Sequence, residues 1–286
     1  MSGRASARMA SQKNDLIARL RHGRSKLMYE TLQYECADGI AIVRLNRPTK
    51  LNAISPDMIA DLRKLVSDVR ADAGARVVIF TGNGRAFCAG ADIAAMSKVS
   101  GPPDFMTFIE GVQLTLNAIE DLDRPTIAAL NGIAYGGGCE LSLCCDLRVM
   151  DEGASIGVPE IKIGLLPGGG GTQRLPKMLP TAIAKQMIYT GDPLTAAQAL
   201  QHGLVNEIAP AGQAVEVAKQ WAQRLLKLPP MGLRCAKLLV DIAENGSLKT
   251  GIEAERQTMA LLYATEDRKE GLGAFLERRE PKFTGR

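Results

Sequence analysis

Only two histidines occur in the 286-residue chain, His22 and His202. A serine–histidine–aspartate triad or a histidine-rich metal centre therefore has almost nothing to draw on. His22 lies in an Arg-rich N-terminal stretch, and His202 follows "TAAQALQ" near a helix end, where a surface or capping role suits it. Aromatic residues make up 4% of the chain, and no aromatic-basic run for stacking nucleic-acid bases is present. No segment reaches the ~18 consecutive apolar residues of a membrane span. The N-terminus has no continuous apolar stretch of the secretory kind. The six cysteines (36, 88, 139, 144, 145 and 235) show neither C-x-x-C pairs nor disulfide-like spacing. They read as small reduced hydrophobes, which predicts a cytoplasmic protein. No G-x-S-x-G elbow, P-loop or G-x-G-x-x-G after a strand is found. Acid–base chemistry falls to carboxylates, with no metal and no separate cofactor expected.

At 46% hydrophobic and 23% charged, the chain has the make-up of an ordinary globular protein large enough to bury a substantial core. Much of the net charge of +4 sits in the first 26 residues, where Arg4, Arg8, Lys13, Arg19, Arg21, Arg24 and Lys26 face Asp15 alone. That stretch is Arg-rich and short of acids, as a mitochondrial presequence is, but the reading favoured is a flexible extension or an early start ahead of Met28. The remainder is close to neutral.

Residues 32–45 end in "IAIVRL" and read as a strand; "NRPTKLNAIS" is a polar loop. Ser55 can cap the helix "PDMIADLRKLVSDVR", with Pro56 at its first position. "VVIFTG" and "PTIAAL" are buried strands, residues 104–122 suit an amphipathic helix, and another strand lies near "LRVMD". From about Pro167 the pattern is almost wholly helical, broken at "KLPPMGL". Strands alternating with helices predict an α/β protein of β-β-α units. The organisation expected is an N-terminal extension over 1–28, a core over 29–226 and a C-terminal helical region over 227–286.

Three stretches combine a strand end, glycine and a polar group. In "GRAFCAGADI", Gly90 turns the backbone and leaves the Ala91 N–H free to point into a cleft. Alone, this is a strand-to-helix turn with Asp92 as cap. In "AALNGIAYGGGCELSLCCD", Gly136, Gly137 and Gly138 precede Glu140. Glycine there bares the Gly137 N–H at a helix start, an arrangement suited to an oxyanion. Glu140 could be a first-turn acid favouring the helix dipole by ~0.3–1 kcal/mol. Its neighbours Cys139, Leu141, Leu143, Cys144 and Cys145 make the helix apolar almost all round, so the carboxylate needs a partner or a task. In "ASIGVPEIKIGLLPGGGGTQRLP", Glu160 follows a proline, and four glycines mimic a phosphate loop without its lysine. Taken singly, Glu160 is a paired structural acid. Two acids beside glycine-exposed N–H groups allow one to deliver a proton while the other activates water.

Taken together, "NRPTKLNAIS", "GRAFCAGADI", "NGIAYGGGCELSLCCDLRV", "GVPEIKIGLLPGGGGTQRLP", "GLVNEIAP" and "EGLGAFLERREPKF" resemble the crotonase superfamily, and most closely its enoyl-CoA hydratases. The resemblance runs from about residue 30 to 284. It implies a crotonase-like spiral of β-β-α units with a C-terminal helical trimerisation region, giving trimers or hexamers. It implies reversible addition of water across the 2,3 double bond of a 2-enoyl-CoA thioester. Ala91 and Gly137 would form the oxyanion hole, Glu140 would deprotonate water, and Glu160 would protonate C2. Gly168 is a candidate for positioning the water.

Coenzyme A would be part of the substrate, passing Lys50, Leu51 and Ala53, with Ala89 to Ile93 (including Asp92) lining its approach. Many hydratases carry a lysine just after "ADI"; this chain has Ala94 and Ala95, and Lys98 is the candidate phosphate contact. Phe275 and Arg278 match positions that in relatives reach the CoA of a neighbouring subunit. The alternatives are an enoyl-CoA isomerase, which usually keeps one acid, a specialised acyl-CoA dehydratase, or a non-catalytic RNA-binding relative. Both glutamates favour hydration.

Overall fold

The computed structural model describes residues 28–286. The expected extension therefore lies, but for Met28, outside the described residues, as does His22. Strands β1 (Leu32–Ala37) and β2 (Ile40–Leu45) form an antiparallel hairpin, not the single strand expected over 32–45. Asp38 and Gly39 both take positive φ, 51° and 84°, the backbone of a tight primed turn that the hydrophobic pattern does not register.

β2 passes its parallel register to β3 (Val77–Gly82), then β5 (Thr126–Leu130), β7 (Leu147–Asp151) and β10 (Glu207–Ala209), giving a six-stranded sheet ordered β1-β2-β3-β5-β7-β10. The middle strands β3 and β5 are buried along their whole length, which is why they read as continuous apolar runs. After each of β3, β5 and β7 the chain adds a three-residue strand to a second sheet: β4 (Ala86–Cys88), β6 (Ile133–Tyr135) and β8 (Ser155–Gly157). With β9 (Leu194–Thr195) these make a four-stranded sheet ordered β4-β6-β8-β9. The repeated step from long strand to short strand to helix is the spiral of β-β-α turns. The sequence pattern misses β4, β6 and β8, which are too short for a period, and likewise β9 and β10 in a tail read as almost wholly helical.

Between the sheets lies the main core, closed by α1 (Pro56–Ala71) and α3 (Pro102–Glu120). Ser55 caps α1 by accepting from the Met58 N–H at 3.3 Å, with Pro56 at the first helical position. The short helix α2 (Ile93–Met96) lies between α1 and α3 in the chain. Helix α4 (Gly137–Leu143) is central to this core, with every residue from Gly138 to Leu143 buried. The buried Arg148 guanidinium anchors its far end, donating to the Cys145 and Ser142 carbonyls at 2.6 and 3.2 Å.

Helices α5 (Gly171–Met178), α6 (Thr181–Thr190) and α7 (Ala196–Gln201) follow, and His202 stands at the C-cap of α7. α8 (Ala214–Leu226) covers the outer face of the large sheet through Ala214, Val217, Ala218 and Ala222.

Past the Leu228–Pro229 break come α9 (Pro230–Asn245), α10 (Leu248–Tyr263) and α11 (Glu266–Glu277). No residue of α9 or α10 is buried. Ile252, Met259 and Tyr263, placed by their spacing on an apolar face, are exposed, and Leu262 is half-buried. Among the described residues, no part of the core covers that face.

Candidate active site

A cavity of about 310 Å³ opens where α4, α3 and the 3₁₀ turn Pro159–Ile163 meet. One side carries the backbone of Ala89, Gly90, Ala91, Gly136 and Gly137. Local packing fixes this edge. The Asn52 side chain, fully buried, donates to the carbonyls of Asn83 and Ala86 and accepts the Arg47 N–H, tying the "NRPTKLN" loop to β4.

Ile54 then bridges the 90–92 segment: its N–H reaches the Gly90 carbonyl at 2.7 Å and its carbonyl accepts the Asp92 N–H at 2.9 Å. In that pairing the Ala91 N–H faces away and meets no acceptor among the described residues; nor does the Gly137 N–H. The two residues adjoin, since a Cβ built on Gly137 would stand 3.9 Å from the Ala91 nitrogen. Two unpaired donors side by side on a cavity wall form a cradle for one oxyanion.

Glu140 and Glu160 both line the cavity. Glu140 is 2% exposed, and its Oε1 accepts the Gly171 N–H at 2.8 Å. Burial pushes its pKa up, while the N–H groups of Gly171, Gly169 and Gly170 and the Arg174 charge pull it back. Glu160 is half-buried, and its Oε2 is enclosed with no hydrogen-bond partner among the described residues. Burial first, and the Glu140 charge as a lesser cause, push its pKa up to about 7 against the opposing effect of its own backbone N–H. Both carboxyls are thus pushed upward, Glu140 against three N–H groups and a guanidinium and Glu160 against its own N–H alone.

Glycine is needed where the acids press on backbone. A Cβ at Gly136 would lie 2.6 Å from Glu160 Oε1, and one at Gly169 would lie 2.7 Å from Glu140 Oε2.

The remaining wall is apolar. Ile109 and Val112 of α3, with Phe105 and Phe108, face Ile163, Leu165 and Leu166. Lys162 is the one cation on the wall among the described residues, and its Nζ is paired with Asp192 at 2.7 Å.

Of the residues singled out by sequence, the structure gathers Glu140, Glu160, Ala91, Gly137, Ala89, Ile93 and Gly168 around this one cavity. Asp92 instead caps α2 through the Ala95 N–H and pairs with Arg47 at 2.9 Å, so it shapes the rim. Lys50 and Lys98 are exposed and Leu51 and Ala53 half-buried, all four outside the cavity lining. Phe275, 82% exposed, and Arg278, the C-cap of α11, also stand outside it. The sequence reading missed the N–H groups of 169–171 as the holders of Glu140, and which residues of α3 line the cavity. The four glycines of "PGGGGTQ" were the available signal for the first.

A cavity that sets two backbone donors against two carboxylates, one buried and one half-buried, defines an enzyme that stabilises an oxyanion while moving protons. The enoyl-CoA hydratase/isomerase family matches residues 35–286. The chain is 36% identical over 258 residues to a crotonyl-CoA hydratase of Syntrophomonas wolfei, covering 90% of this chain and 99% of that one. It is 38% identical over 248 residues to a 2,3-dehydroadipyl-CoA hydratase of Escherichia coli, covering 86% and 96%.

Its fold superposes with a TM-score of 0.86 on the crystal structure of an enoyl-CoA hydratase from Bacillus anthracis, at 36% identity, covering 90% of this chain and 100% of the other. The chain belongs to the enoyl-CoA hydratase/isomerase family. Its activity is that of an enoyl-CoA hydratase, a hydro-lyase.

Proposed function

We propose that the protein adds water to a 2-enoyl-CoA thioester with Glu140 as base and Glu160 as acid. The observation that carries this division is the unequal support of the two carboxylates. The Gly171 N–H bonds Glu140, and with the Gly169 and Gly170 N–H groups and the Arg174 charge it opposes the upward push of burial, whereas Glu160, with one oxygen enclosed and unpartnered, is pushed up to about 7. The thioester oxygen sits against the Ala91 and Gly137 N–H groups. Glu140 takes a proton from water as the oxygen bonds to C3. The C2–C3 π electrons move toward the thioester oxygen, and the resulting enolate is held by the two N–H donors. Glu160 then gives its proton to C2, and exchange with solvent resets both acids. One such donor is worth roughly 2.7–4 kcal/mol of barrier.

Coenzyme A enters as part of the substrate, with Ala89 to Ile93 along its approach and Lys50, Leu51, Ala53 and Lys98 as its outer contacts. The acyl group we assign is uncharged, because the apolar wall offers only Lys162, already paired with Asp192. Purified protein given crotonyl-CoA should bleach the conjugated thioester absorbance and yield the 3-hydroxyacyl product. Persistence of that absorbance with folded protein would overturn the assignment.

The assembly we propose is a homotrimer or a pair of trimers. It is supported by the apolar surface that α9, α10 and α11 leave uncovered, including Leu238, Val240, Leu261, Leu272 and Phe275. Light scattering should give three or six chains. A monomer would overturn the assembly, and with it any role for Phe275 and Arg278 at a neighbour's substrate.

A further inference from the structure

Behind Glu140, on the far side of the glycine loop from the reacting cavity, a charged pair is built into the protein. Arg174 on α5 and Glu120 at the end of α3 meet through two hydrogen bonds, Nε to Oε1 at 2.9 Å and Nη2 to Oε2. Nη1 donates to the Gly169 carbonyl at 3.0 Å, and Nη2 also reaches Asn117 Oδ1 at 2.8 Å. The guanidinium packs so close to Gly170 that a Cβ there would force the Arg174 side chain to shift.

The loop is thus gripped from behind by Arg174 while its front presents N–H groups to Glu140. Gly169 touches both sides: its carbonyl is held by Arg174, and a Cβ built on it would meet Glu140 Oε2 at 2.7 Å. A forked pair is the geometry that fixes a guanidinium most firmly.

We propose that Arg174 and Glu120 act as a positioning pair for the hydration reaction: they hold the glycine loop against Glu140 and keep that carboxylate charged. The inference rests on the reading of Glu140 as the base. The charges and titratable groups around Glu140 are Arg174 from α5, Glu160 from the 3₁₀ turn, and the Cys139 and Cys144 thiols of α4 itself. Arg174 is the cation among them, and Glu120 is its counter-charge. Lys177, Asp121, Asp241 and Glu244 line the polar cavity on the outer side of the pair.

Two substitutions separate this role from plain stabilisation because they act in opposite directions. R174Q removes the cation and should raise the titration midpoint of Glu140. The acid limb of the kcat profile should then move to higher pH, with KM little changed. E120Q leaves the cation and removes its counter-charge, so the same midpoint should fall. R174K keeps the charge without the fork: its limb should stay near that of the parent protein while kcat drops.

The midpoint can be read apart from turnover, by carbon-13 resonances of labelled glutamate carboxyls with Glu140 assigned by its absence in E140Q. Midpoints unmoved in both variants, or moved the same way, would overturn the proposal, even with a lower melting temperature. If R174Q does not fold, E120Q decides alone, and a midpoint that stays or rises overturns it. Full turnover by E140Q would instead remove the base role of Glu140, while the carbon-13 titration still reports on the pair.

Discussion

The two ends of the reacting cavity hold the same chemical group in opposite ways. Glu140 projects from a helix buried on all sides and lands among the N–H groups of three consecutive glycines. Glu160 projects from a short 3₁₀ turn whose residues are all partly exposed, and one of its oxygens is enclosed with no partner. The first site suits a carboxylate that must be charged before it can act. The second suits one that must hold a proton until carbon is ready to take it. Identical side chains thus gain unequal support from the donors around them, the contrast on which the proposed base and acid roles rest.

Removing either acid is the harshest test of that contrast. E140Q and E160Q should each lower hydration by about 10²–10⁴-fold, the range for general acid–base groups, with melting temperature unchanged or raised. Near-normal turnover by either would leave that acid without its role.

Next come the glycines that let the acids approach. G169A sets a methyl 2.7 Å from Glu140 Oε2 and 2.8 Å from Leu116 Cδ1, and should cost about tenfold or more in kcat. G136A meets Glu160 Oε1 at 2.6 Å, the far end of a side chain that can swing away. Its backbone, at φ 52° and ψ −122°, lies in a region that side-chain-bearing residues rarely enter and adds roughly 1–3 kcal/mol of strain. G136A should therefore fold, unfold at lower denaturant, and hydrate poorly; parent-like turnover would show that Glu160 acts from more than one position.

A smaller effect is expected in stability. The Glu160 pKa rises from 4.5 to about 7 on folding, so the folded protein binds more protons than the unfolded chain between those values. The resulting penalty is absent below about pH 4.5, grows as pH rises, and is complete above about pH 7. Since Glu160 is only half-buried, solvent screening brings this to roughly 1–3 kcal/mol. Denaturant melts should find E160Q more stable than its parent at alkaline pH and no more stable at acid pH. Equal curves at both would mean the folded site does not raise this acid.

The least disruptive change is K162A. Its ammonium is tied to exposed Asp192, a kind of pair worth about 0–1 kcal/mol, so hydration of an apolar enoyl thioester should stay within about twofold. A larger loss would place that cation in the reaction.

Much of this was legible along the chain. Ser55 and Pro56 announced α1, the all-apolar runs announced β3 and β5, and the bare glycines ahead of Glu140 announced exposed N–H groups. The second sheet was not, because β4, β6 and β8 each have three residues and no period to detect. Asp92 illustrates a residue with two readings: sequence placed it both as a cap and along the substrate path, and Arg47, 45 positions earlier, binds it into the rim. The apolar wall from α3 belonged to a helix that sequence placed within two residues of its true ends, without the direction of its Phe105 and Phe108.

The sequence by itself determined that two acids and two glycine-exposed N–H groups were available, because residue type and backbone freedom are local properties. It determined the order α1, β3, α3, β5, α4 and β7 for the same reason. Only the tertiary structure decided how differently the two acids are supported. The N–H groups that hold Glu140 come from 29 to 31 residues further on, and the guanidinium behind them is paired with a residue 54 positions earlier. Electrostatic support falls off with distance in space, not along the chain, so the difference between Glu140 and Glu160 exists only once the spiral has closed.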